Sequence, residues 1–374
     1  MRALLAVLAT ATGLAAGAAD FEILWTRAIA KEDGVMAAWP TVCKCRSGEV
    51  IAAFSGDRKM HTCPWGKNMI VRSKDNGETW TKPEIAHSSV LDDRDTGILE
   101  LDDGTLLLNW FSSICFRNCK FEYGLHFGKI PLEESVDVCG NFSARSTDGG
   151  RTWERPVRMY GSANHGGIQL KDGRVMVIGR HGDVPNGDMI HPLDPEFGHV
   201  PYRLVAEVSE DRGKSWKILS DIVPQAPYDI HSFHEPHLIE CSDGRICAFF
   251  RCHQNGVHIT QCDSADGGRT WGPMRDLPMK GAHPPHLLRL RDGRVILTYA
   301  NRGTPKTQRA VVSADECRTW STDEIVLSSI PSGDVGYPST VELDDGSLLT
   351  VFYQPEAVGE RPTLMATKWR LKGK

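Results

Sequence analysis

Three arginines, Arg58, Arg251 and Arg302, stand at matching ends of short apolar segments. A planar guanidinium fork suits a carboxylate, so three forks at equivalent places point to an anionic ligand. A second set of segments opens with acidic, aromatic and imidazole groups. They are Trp39-Pro40-Thr41, Asp93-Arg94-Asp95, Asn164-His165-Gly166, His234-Glu235-Pro236-His237, His283-Pro284-Pro285-His286 and Gly336-Tyr337-Pro338. Carboxylates can move protons during catalysis. Neutral imidazoles can hydrogen-bond sugar hydroxyls or bind a metal. Without an alternating carboxylate pattern the sequence favours sugar contact or structure, and neither a metal nor a cofactor is expected.

Two repeated patterns must position these groups. The first is Ser-x-Asp-x-Gly-x-Thr/Ser-Trp, the Asp box. It runs from Ser73 to Trp80, Ser146 to Trp153, Ser209 to Trp216 and Ser264 to Trp271. A decayed copy runs from Ser313 to Trp320, with Cys317 in the glycine position. The Asp carboxylate accepts bonds from its own turn, and Gly supplies a positive φ. A cysteine in that place requires a different turn or strain.

The second pattern is an apolar strand, a turn of the Asp-Gly type and another apolar strand. Its glycines are Gly48, Gly104, Gly173, Gly244, Gly293 and Gly346. Such a turn between apolar runs is the strongest short hairpin signal. The two patterns interleave six times with the sixth Asp box missing, which predicts an all-β, six-bladed β-propeller over residues 19–374. A strand from about Phe21 to Ile29 is expected to complete the last blade. The arginine ends and the opening segments then collect on one rim of the axis. Two insertions, from about Ser112 to Ala144 and from Gly182 to Tyr202, read as loops of a length often used for binding.

The chain has 374 residues and a net charge of -5, with no basic run, so nucleic acid is not an expected partner. Arg2, an apolar stretch over Ala3 to Ala15 and the small residues Ala16-Gly17-Ala18 read as a cleaved secretory signal over residues 1–18. A secreted or periplasmic location follows, with no membrane span. Eleven cysteines are an odd number, so at least one is left over from pairing. Cys43 and Cys45 would share a strand face. Cys115, Cys119 and Cys139 are candidates for a disulfide staple in the first insertion. No paired CxxC set indicates structural zinc.

Asp boxes on an exported six-bladed propeller resemble the sialidase (neuraminidase) superfamily, over nearly the whole chain. The resemblance implies a tyrosine nucleophile activated by a glutamate, and Tyr337 and Glu235 match these. The anomeric carbon of a sialoside bears a carboxylate and would repel an anionic nucleophile. A phenol that gives up its proton to the glutamate only as it attacks presents a neutral oxygen instead. The resemblance also implies a three-arginine clamp. Arg251 and Arg302 match its second and third members, with Arg309 competing for the third, and Arg58 matches a further site arginine. The implied partners are sialylated glycans.

The sequence departs from the family pattern in three places. Trp39 stands in the segment that should carry the first clamp arginine. Gln354 stands where a glutamate should support that arginine. The two losses agree, since a buried carboxylate without its cation is costly. The usual acid/base aspartate after Arg58 is absent too. Asp57, His61 and Asp95 are substitutes, and Asp95 is the choice, with Arg94 beside it to hold it or touch substrate. His165, His237, Trp39 and Gln354 complete the expected substrate contacts. The reading is an exo-acting sialidase. The alternatives are a hydrolase or lyase for another acidic sugar, and a glycan-binding propeller without catalysis.

Overall fold

The computed structural model describes residues 20–163, 165–182, 190–196 and 198–372. The leader at residues 1–18 and Asn164 lie outside these. Six four-stranded antiparallel sheets form the six blades, and within five of them the strands follow chain order. The first strands are Met36–Lys44, Asp92–Glu100, Ile168–Gln169, Phe233–Glu240, Ala282–Arg289 and Gly336–Glu342. Neighbouring first strands touch one another in most of the ring, so they line the axis. The second strands include Val50–Arg58, Ile246–Cys252, Val295–Asn301 and Leu348–Gln354.

The sixth blade is made from both ends of the chain. Its order places Phe21–Ala30 outside Thr363–Leu371, with Thr26 opposite Thr367 and Phe21 opposite Leu371. This is the expected closing strand.

The turns are built as the repeat requires. Asp75 accepts from the Thr79 amide at 2.8 Å and the Thr79 hydroxyl at 2.5 Å, while Ser73 Oγ accepts from the Gly77 amide at 2.9 Å. These bonds, from the Thr79 hydroxyl first, hold the Asp75 carboxyl down to about 2. The box tryptophans pack where two sheets face each other. Trp80 packs on the core cluster that holds Leu349 and Val71, Trp153 on the one with Ile51 and Leu108, and Trp320 on the one with Val311, its ring 5.8 Å from that of Phe249. Burial of these inter-blade apolar faces is the main stabilising term of such a ring.

The first insertion is not an irregular loop. It holds a 3-10 turn at Cys115–Asn118 and two short α-helices, Phe121–Phe127 and Leu132–Val138. They close over their own small core of Leu91, Ile114, Phe116, Tyr123 and Cys139. Helices of this length are stabilised by such packing, not by propensity, and so leave little periodicity in the sequence. Cys119 is a free, exposed thiol beside the Thr62 hydroxyl at 2.8 Å, so it forms no staple here.

Candidate active site

The site begins with a backbone irregularity. Inner pairs slip register between Ala38 and Thr41, Arg94 and Gly97, His234 and His237, His283 and His286, and Gly336 and Ser339. At the slip φ is 54° for Trp39, 55° for Asp95, 47° for Glu235 and 55° for Tyr337. Left-handed backbone at a residue with a Cβ costs roughly 1–3 kcal/mol and persists only where the surroundings impose it. The bulge takes one side chain per blade out of the strand alternation. Four blades thereby send a chemically distinctive residue to one axial mouth.

There Tyr337 and Glu235, from the sixth and fourth blades, meet. Tyr337 Oη donates to Glu235 Oε1 at 2.5 Å, and Arg251 Nη1 donates to Glu235 Oε2 at 2.8 Å. Burial opposes the Glu235 charge, but Arg251, the Tyr337 hydroxyl and Arg180 outweigh it and hold the carboxyl well below its ordinary range. Burial, then Glu235 and Asp95, push the Tyr337 phenol well above its ordinary value. The resting pair is therefore phenol and carboxylate.

Asp95 lies in the same field. Burial raises its carboxyl to about 7, against the pull of Arg94 and with the push of Glu235. A carboxyl poised near neutrality can both give and take a proton.

Arginines surround these acids. Arg302 donates through Nε to the Val335 carbonyl at 2.9 Å and through Nη2 to Tyr353 Oη at 2.8 Å. Arg94 Nη2 lies 3.0 Å from His61 Nε2, and its guanidinium sits 4.5 Å from the Trp39 ring centre. Burial and then Arg94 lower His61 to about 3, so this imidazole is neutral and accepts from Arg94.

Several expected contacts are already engaged with other parts of the protein. Arg58 is fully buried: Nη2 pairs with Asp92 at 2.7 Å and donates to the His61 carbonyl at 2.8 Å. It braces Trp39 from 4.7 Å and does not reach the mouth. Trp39 itself is 1% exposed and packs edge-on against Tyr337, Tyr353 and His61. Gln354 accepts from Ser328 Oγ at 3.1 Å, on the fifth blade's outer strand. Strand alternation sends it away from the mouth and turns its neighbour Tyr353 inward. Arg309 is occupied by an ion pair with Glu324. Asp57 pairs with Lys67.

His237 and His165 lie below the rim. The Leu287 amide donates to His237 Nδ1 at 3.1 Å, and the ring stacks 4.6 Å from His286. His165 stands 5.8 Å from the Tyr337 ring and 5.3 Å from His286. All three also line an axial cavity of about 500 Å³ that extends toward the Asp-Gly turns. Burial lowers His165 to about 4 and His237 to about 3, so both are neutral and form the floor beneath the phenol.

Two site groups escaped the sequence reading. Arg180 lies 3.0 Å from His234 Nδ1 and lowers the carboxyls of both Glu235 and Asp95. Its place in the third blade matches that of Arg251 in the fourth, which was the available signal. Tyr353 Oη donates to Asp334 at 3.0 Å, and its ring lies 5.8 Å from Tyr337.

The BNR repeat-like domain family matches residues 132–350, more than half of the chain. The chain belongs to the BNR repeat-like family. This propeller is 23% identical over 354 residues to a sialidase of Micromonospora viridifaciens, covering 84% of the chain and 49% of that protein. The chain thus spans about half the length of the curated relative it matches. A Dyadobacter fermentans protein of unknown function is 26% identical, with a TM-score of 0.77 and coverage of 94% and 99%. The NanB sialidase of Streptococcus pneumoniae is 16% identical, with a TM-score of 0.64 and coverage of 93% and 70%. An alpha-L-arabinanase of Penicillium chrysogenum is 15% identical, with a TM-score of 0.61 and coverage of 93% and 98%. The BNR repeat-like propeller therefore shares its fold with glycoside hydrolases. No helix among its described residues is long and apolar enough to cross a membrane.

Proposed function

We propose that this propeller is an exported, exo-acting glycoside hydrolase that releases terminal α-linked sialic acid from glycans. The single observation that carries the reading is the 2.5 Å contact of Tyr337 with Glu235. A glycan-binding module has no need of a buried phenol against an arginine-held carboxylate.

In the reading, Arg251 and Arg302 hold the substrate carboxylate. That carboxylate competes with Glu235 for Arg251, so binding frees Glu235 to accept a proton. Glu235 takes the phenolic proton as Tyr337 Oη forms a bond to the anomeric carbon. The bond to the leaving oxygen breaks, and Asp95 protonates that oxygen. Asp95 then takes a proton from water, which attacks the glycosyl-tyrosine, and the phenol recovers its proton from Glu235. Two displacements retain the anomeric configuration.

Release of free sialic acid from a sialylated mucin glycan panel by the purified chain tests the reading. Absence of release, with the protein folded, sinks it. Trp39 in the place of the family's first clamp arginine favours a second reading, a hydrolase or lyase for another acidic sugar. A lyase would instead yield an unsaturated product that absorbs in the ultraviolet.

A further inference from the structure

Away from the mouth, one inter-blade contact departs from the repeat. In three Asp boxes the turn glycine packs on a long apolar side chain of the preceding blade. Gly77 faces Leu349, Gly213 faces Leu107 and Gly268 faces Met176, and an added Cβ would approach these to 3.0, 2.6 and 2.5 Å. In the fifth box the glycine is Cys317, and the residue at the place of Leu107 and Met176 is Cys247. A third substitution accompanies them. Cys241 stands before the Asp-Gly turn where Leu101, Leu170, Leu290 and Leu343 stand in four other blades.

Packing alone does not require this. Any small residue facing the turn would relieve the crowding, and glycine would spare the backbone. Cys317 instead keeps the box turn, its amide donating to Ser313 Oγ at 3.0 Å, at a φ of 63°. The outcome is three buried sulfurs, all within 4.8 Å of one another, with Cys241 and Cys247 at 3.4 Å. The Arg245 guanidinium lies 3.4 Å from Cys247 Sγ, a cation beside the cluster.

We propose that Cys241, Cys247 and Cys317 form a trigonal thiolate site for one soft monovalent cation of the copper(I) class. A metal–sulfur bond of about 2.3 Å sets sulfurs about 4 Å apart in a trigonal plane, close to the spacing seen. Zinc ordinarily takes four ligands in a structural site. No fourth His, Cys or carboxylate joins this group among the described residues. Three thiolates in a dry pocket select copper(I). Each sulfur gives an electron pair to the metal and releases its proton, and the metal keeps its oxidation state. The ion would clamp the fourth blade to the fifth, independently of any hydrolase activity.

The test is anaerobic titration of the reduced full chain with copper(I), read by native mass spectrometry and by ultraviolet thiolate-to-metal absorption. One ion per chain is expected. Cys317→Gly restores the repeat's own turn residue and so keeps the fold. It should weaken binding by about 100-fold or more. Cys247→Ser should do the same. The inference is overturned if the wild type holds no ion at equimolar copper. It is equally overturned if Cys317→Gly binds as tightly, since the ion then sits on other thiols. A Cys241–Cys247 disulfide in the chain as isolated would also overturn it.

Discussion

Tyr337 and Glu235 touch at 2.5 Å although they come from blades separated by a third, and each reaches the contact from a left-handed residue at a strand bulge. Tyr337→Phe and Glu235→Gln should each lower kcat/KM by roughly 10²–10⁴-fold on a sialoside without unfolding the protein. The double mutant should lose little more than either single one, because the two act as a unit. Proton NMR of the first-formed sugar supplies the second check. An initial β anomer from an α-sialoside would refute the glycosyl-tyrosine.

Arg251 has two expected tasks, so its removal should leave two marks. Arg251→Ala should lower kcat/KM by roughly 2–4 kcal/mol in transition-state terms if it binds a buried carboxylate. It should also shift the acid side of the pH profile. Arg251 helps hold Glu235 below the ordinary carboxylate range, so the base is ionised even in acid. Without the arginine, Glu235 gains its proton at higher pH, and activity should begin to fall there. A profile with an unmoved acid limb would remove Arg251 from the dyad.

Asp95 should set the alkaline limb. Its carboxyl is raised to about 7, and an acid must carry its proton to give it. Activity on natural glycans should therefore decline as pH rises through about 7. Asp95→Asn should lose roughly 10²–10⁴-fold on such substrates and far less on an aryl sialoside, whose leaving group needs no proton. Equal losses on both would contradict the acid role.

Arg58 and Asp92 form a pair with both side chains fully buried. Arg58→Met should cost roughly 3–5 kcal/mol, because Asp92 is left without its cation. Denaturant unfolding measures this. Arg58→Met with Asp92→Leu should recover most of the loss, and a double mutant as weak as the single one would show that the pair is not the cause.

The propeller was legible because its signals are local. Each Asp box and each Asp-Gly turn specifies its own hairpin, and six of them count the blades. Glu235, Tyr337 and Arg251 could be read because each stands at the same place in its repeat. Gln354 and Arg58 could not be placed so easily. A one-residue phase error on a strand exchanges Gln354 for Tyr353. Whether an arginine faces solvent or a buried Asp92 depends on a partner 34 positions away in the chain. The bulges are the less visible feature. Nothing in Trp39, Glu235 or Tyr337 favours φ near +50°, and the backbone is imposed by the blade around them. Arg180 was within reach of the same positional reasoning and shows its limit, since only distances reveal which rim cations face the acids.

The sixth blade gives the chain a temporal order. Its outermost strand, Phe21–Ala30, is made before the other five blades, and its partner, Thr363–Leu371, after them. Until that partner emerges, the early strand has an unpaired edge, and the ring is an open arc. Five blades can form as the ribosome proceeds, but the contact of Glu235 with Tyr337 waits for the final hairpin. The strand pair that seals the ring has a very large sequence separation, and closing so long a loop is slow. A nascent chain stalled before Thr363 would lack the strand that joins Phe21–Ala30 to the sixth blade, which carries Tyr337.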